Sequence, residues 1–143
     1  MSSKNFVILA PHHEGHEHVR VCFSIVANVL KYGIVSAGHT CEIMETMGTE
    51  PVPPPLKELL TDKTVIVFSP FIYSLEGVDC RIIVYNTESL GLELWRKEGG
   101  NWARDPRVEQ VWDYCYNNII LWAEESSRCA KPHVLVPIGY SPE

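Results

Sequence analysis

Between His12 and His18 the chain gathers four imidazoles, His12, His13, His16 and His18, with the carboxylates of Glu14 and Glu17 and the single glycine Gly15. Imidazole titrates near neutrality, and a neighbouring carboxylate can orient it and stabilise its protonated form. Such a loop could therefore hold a general base that takes a proton from a hydroxyl, with His16 or His13 as base and Glu14 or Glu88 as orienting partner. The same residues could also gather a metal ion or form a solvated polar loop. Metal binding needs three or four converging ligands, whereas adjacent His12 and His13 usually point in different directions and the run matches no zinc spacing, so no metal is expected.

Gly15 stands just before a predicted helix, whose N-terminus attracts anions. One glycine without a lysine falls short of both the dinucleotide fingerprint and the phosphate loop, so no cofactor is expected. A glycine that relieves crowding between loop and helix is the simpler account. A second polar cluster, Asn86, Thr87 and Glu88, could hold a sugar hydroxyl, although a cap for the following helix explains Asn86 or Thr87 equally well. Trp95, Trp102, Trp112 and Trp122 offer stacking faces, most of them expected to fill the core or cover a groove.

Positioning these groups requires a scaffold, and its elements are legible as apolar runs. Strands are predicted at Phe6 to Ala10, stopped by Pro11, and at Cys41 to Met44, Thr64 to Phe68, Arg81 to Tyr85 and His133 to Val136. Val19, Cys22, Phe23, Val26, Val29 and Leu30 recur at helical spacing, and Gly38 suits the turn that ends this helix near Ser36. The prolines between Gly48 and Pro55 predict a surface connection, followed by a short helix through Leu56, Leu59 and Leu60. Val108 to Ala123 fits either a helical stripe or a short strand feeding a helix, and Leu90 to Pro106 resists assignment beyond partial helix and loop.

Buried strands alternating with helices predict an α/β fold, a doubly wound, mainly parallel sheet with helices on both faces. Ligands in such sheets sit beyond the carboxyl ends of strands. That places His12 to His18, Ser69 to Ser74 and Asn86 to Glu88 at the expected site. The length of 143 residues, with 45% hydrophobic composition, predicts one domain with a substantial core. A net charge of -6 lacks the cationic field that captures nucleic acid. Cys22, Cys41, Cys80, Cys115 and Cys129 contain no C-x-x-C pair and read as reduced core residues, consistent with a cytoplasmic protein. The apolar run that begins the chain is too short for a membrane span or a signal segment.

Several strings together resemble the N-terminal half of two-domain glycosyltransferases of the GT-B architecture. These are the Gly15-His16 loop, Gly38 to Ile43 with its Gly-His pair before a strand, Ile83 to Glu88, Val111 to Ile119 and Val136 to Pro142. The resemblance implies that Gln110 to Cys115 is a fifth strand in chain order and that the Asn-Asn-Ile segment begins a helix. It implies an acceptor-binding domain for a glycan or other hydroxyl compound, with the nucleotide sugar held mainly by a second Rossmann-like domain. Under that reading Gly15, His12, Asn86, Glu88, Asp113 and Tyr114 line the acceptor cleft. The alternative is a stand-alone, non-catalytic Rossmann-like module that binds a glycan, a nucleotide or a protein partner.

Overall fold

The computed structural model describes residues 2–12, 15–47, 50–68, 75–87, 105–124 and 131–137. In chain order the elements are β1 (Asn5–His12), α1 (Glu17–Ser36), β2 (Thr40–Met47), α2 (Pro54–Leu60), β3 (Thr64–Phe68), β4 (Arg81–Asn86), β5 (Val108–Asp113), α3 (Tyr116–Glu124) and β6 (His133–Leu135). Among the described residues, the six strands form one sheet in the order β2-β1-β3-β4-β5-β6, and each neighbouring pair is parallel. This is the predicted doubly wound α/β architecture. No helix among the described residues is long and apolar enough to cross a membrane.

Alternation along the central strands divides the core in two. Phe6, Ile8 and Ala10 of β1, Ile66 and Phe68 of β3, and Ile83 and Tyr85 of β4 meet Ala27, Leu30 and Ile34 of α1. Val7, Leu9, Val65, Val67, Ile82 and Val84 face the other way, onto Leu60 of α2, Leu75, Val78 and, more loosely, Leu121 of α3. A strand covered on both faces reads as an unbroken apolar run, which is why β1, β3 and β4 stand out in the sequence.

The structure corrects several boundaries. β1 continues through Pro11 to His12, pairing Pro11 with Thr46 and His12 with Met47 of β2. Its pairing with β3 ends at Leu9, so Pro11 has a strand on one side only, where a missing donor is tolerated. The buried stripe of α1 runs through Phe23, Ala27, Leu30 and Ile34, which leaves Cys22 exposed rather than in the core. Cys41 and Cys80 are buried, and burial pushes both thiols up to about 11. Pro54 and Pro55 belong to α2 rather than to the connection, because the first helical turn needs no proline donor.

β5 begins at Val108 and ends at Asp113, two residues earlier at each end than expected. Its pairing with β4 shifts between Ile82 and Ile83, so that Ile82 meets Val108 while Ile83 meets Gln110. Glu109 is the extra residue of this bulge, and it puts Val108 and Val111 on the same face at a spacing of three. That spacing imitates a helix. The expected stretch from Leu90 lies outside the described residues as far as 104.

Candidate functional site

The chain leaves β1 toward β2 on one side, then returns past β1 to form β3 on the other. The strand order therefore reverses between β1 and β3, and doubly wound sheets hold ligands at the carboxyl ends of the strands beside such a switch point. His12 is the last residue of β1 and is partly buried there. Its Nδ1 is buried and has no hydrogen-bond partner, and the same is true of Oγ1 of Thr87, one residue past β4. A buried polar atom left unpaired costs about 1–3 kcal/mol, so two at the carboxyl edge of the sheet make that edge the candidate site.

Beyond β1, Gly15 has φ +78°, and a Cβ built on it would meet nothing within 4 Å. Its requirement is therefore the left-handed backbone, not the crowding expected from the sequence. His16 caps α1 with its backbone; its exposed ring contributes no side-chain cap and lies edge-on to His18, with centroids 5.8 Å apart. Glu17 occupies the first turn of α1 and pairs with Arg20 at 3.3 Å, while Arg20 also reaches Glu45 of β2 at 3.2 Å. Carboxylate charge already complements the start of the helix, which disfavours a bound anion there.

At the ends of β4 and β5 the structure brings Asn86 and Asp113 together. Asn86 Nδ2 donates to Asp113 Oδ2 at 2.8 Å, and Asp113 Oδ1 accepts from Asn118 Nδ2 at 3.0 Å and from the Cys115 amide at 2.9 Å. All three side chains are buried, with Asp113 at 0% exposure. Burial pushes the Asp113 carboxyl up, while the donors from Asn86, Cys115 and Asn118 pull it back. This arrangement ties two strand ends to the start of α3 and turns Asn86 and Asp113 toward each other beneath the surface.

Nearby, Tyr85 donates its hydroxyl to the Val136 carbonyl at 2.8 Å, and burial pushes the phenol up to about 12, so it remains a neutral donor. Tyr114 is partly buried against the α1-side core. Trp112 donates Nε1 to Gln110 at 3.0 Å and packs against the same core. His133 Nδ1 donates to the Lys131 carbonyl at 2.9 Å, and burial lowers its basicity.

Of the residues expected from the sequence, His12, Gly15 and His16 belong to the β1–α1 junction, and Asn86, Asp113 and Tyr114 to the neighbouring strand ends. His13, Glu14 and Glu88 lie outside the described residues, as do Ser69 to Ser74. Sequence reasoning did not single out Asn118, whose signal is the polar pair Asn117-Asn118 at the start of an otherwise apolar helix. Nor did it distinguish Thr87 from its neighbours. Among the described residues no group of three His, Cys, Asp or Glu side chains is arranged to hold a metal ion. The chain matches no family model, no curated protein and no solved structure.

Proposed function

We propose that this chain is the acceptor-binding domain of a nucleotide-sugar-dependent glycosyltransferase and that the acceptor hydroxyl binds at the carboxyl end of β1. The observation that carries the reading is the pair of unpartnered buried atoms, His12 Nδ1 and Thr87 Oγ1, at the carboxyl edge of a parallel sheet. A sugar hydroxyl both donates and accepts hydrogen bonds, so it suits an imidazole nitrogen and a threonine hydroxyl alike. His12 thereby joins His13 and His16 as a candidate base that takes the proton as the hydroxyl attacks the anomeric carbon. Glu14 or Glu88 serves as the orienting carboxylate, and Asn86 with Asp113 braces the strand ends behind the site. In the resembled family the departing diphosphate is stabilised mainly by a second Rossmann-like domain, which assigns this chain the acceptor side.

The test follows the His12 imidazole by NMR while oligosaccharides and nucleotide sugars are titrated into the chain. Oligosaccharide should shift its nitrogen resonances, and Thr87→Val should weaken that binding about tenfold through loss of one hydrogen-bonding group. The same substitution should stabilise the unliganded chain by about 1 kcal/mol, because an unpaired hydroxyl is removed. With a nucleotide-sugar-binding domain supplied, replacing the true base by alanine should lower turnover about 100-fold. An imidazole indifferent to every glycan refutes the site, and unchanged turnover in His12→Ala, His13→Ala and His16→Ala refutes the base.

A further inference from the structure

α1 carries a second apolar face, opposite the one that packs on the sheet. Val21, Ile25, Tyr32 and Val35 are 49%, 58%, 50% and 50% exposed, far more than isolated surface side chains would explain on one helix. Together with exposed Asn28 they fall at spacings of four, three, four and three, the repeat of a helix that packs against another helix. The seam spans about 21 Å along the helix axis. At its centre is Asn28, with Ile25 and Tyr32 three and four residues away, and Val21 and Val35 each seven away.

From this symmetry we infer that α1 is the interface of a homodimer, in which the α1 helices of two copies pack antiparallel across a two-fold axis near Asn28. A two-fold contact must be self-complementary, and a seam nearly symmetric about its midpoint meets that requirement when reversed. Charge favours the same occupant. The chain has a net charge of -6, yet residues 18–36 contain no Asp or Glu; their cationic side chains are Arg20, already paired with Glu17 and Glu45, and Lys31, which is not one of the seam positions. Two copies therefore repel least at this face. Asn28 donates Nδ2 to the Ser24 carbonyl at 2.8 Å, leaving its side-chain oxygen to accept a bond from the second copy. Through Val29 and Tyr32 the apolar surface continues into a groove of about 490 Å³, lined also by Gly33, Trp112 and Val136, which broadens the interface beyond a single helix face.

Sedimentation of the full chain should give twice its 16.2 kDa mass at about 100 µM, a concentration that populates even a weak dimer. Ile25→Glu and Tyr32→Glu should each raise the dimer dissociation constant about 100-fold with unchanged circular dichroism, since a buried charge is left unpaired. Leu59→Glu, on exposed α2, should leave the dimer intact. In a Cys22→Ser background, Asn28→Cys should cross-link two copies on oxidation much faster than Leu59→Cys, because facing positions at the two-fold come within disulfide reach. A monomeric native chain, a dimer indifferent to both glutamates, or equal cross-linking at positions 28 and 59 would overturn the assignment.

Discussion

Removing the Asp113 side chain tests whether the ends of β4 and β5 are held by one carboxylate. In Asp113→Ala the side-chain amides of Asn86 and Asn118 and the Cys115 backbone amide each lose a hydrogen bond to that carboxylate. With each bond lost to Asp113 costing about 1–3 kcal/mol and water partly replacing the lost atoms, the loss should be about 3 kcal/mol. For a domain of this size that corresponds to a fall of roughly 9 °C in melting temperature. Asp113→Asn should cost only about 1 kcal/mol, since its carbonyl can keep the two Oδ1 donors and its amide faces one group instead of three. The pair also separates charge from hydrogen bonding. Burial raises the folded carboxyl, so the folded chain holds the proton more tightly, and native stability relative to Asp113→Asn should fall as pH rises above about 4. It should level off once the folded carboxyl is ionised. Urea titrations of the three proteins between pH 3 and 8 supply the measurement. A loss below 1 kcal/mol in Asp113→Ala, or a difference from Asp113→Asn that grows with pH, would refute the argument.

Arg107 braces the opposite end of the sheet, donating Nη1 to the Leu75 and Val78 carbonyls at 2.7 Å each and pairing with Asp105 at 2.7 Å. Arg107→Ala should lower unfolding free energy in urea by about 2 kcal/mol, and Arg107→Lys by nearly as much, since an ammonium cannot reproduce the planar fork. Gly15→Ala should cost about 1 kcal/mol through backbone strain alone, because the space around it is open, and thermal melting checks this. Equal stability there would mean that the junction rearranges freely.

The parts of the fold that the sequence makes legible are those where two-sided burial leaves one signal. Val65 to Val67 of β3 and Ile82 to Val84 of β4 are apolar on both faces, so their strands are marked whatever their neighbours do. Where coverage is uneven the signal divides. β2 is an edge strand whose burial alternates, and its polar half, from Glu45 to Met47, is hard to tell from a loop. At β5 one bulge residue converts a spacing of two into three, and the periodicity points to the wrong element. In α1 two apolar faces lie on opposite sides, and composition does not say which meets the sheet. Phe23, Ala27, Leu30 and Ile34 prevail because they are the set that interlocks with Phe6, Ile8 and Phe68. The candidate site divides in the same way. Its place follows from strand order and polar residues after strands, whereas the division of labour inside it depends on side-chain direction, which the sequence does not encode locally.

That division gives the candidate site its physical character. Asp113, which is buried, holds three donors, and the partly buried Arg107 holds two carbonyls and a carboxylate, so both charged groups are closely matched with partners. His12 and Thr87 each retain a buried atom with none. A fold that satisfies these charges yet leaves a polar atom of His12 and one of Thr87 unpaired at the carboxyl edge departs there from local consistency, which is what makes that edge the candidate site. The energetic consequence is directional: bracing residues should respond to substitution mainly in stability, and edge residues mainly in binding. Asp113→Ala and Arg107→Ala should therefore lose stability with little change in the affinity of the remaining folded protein. Thr87→Val should gain stability and lose affinity, a trade that a packing role for Thr87 would not produce.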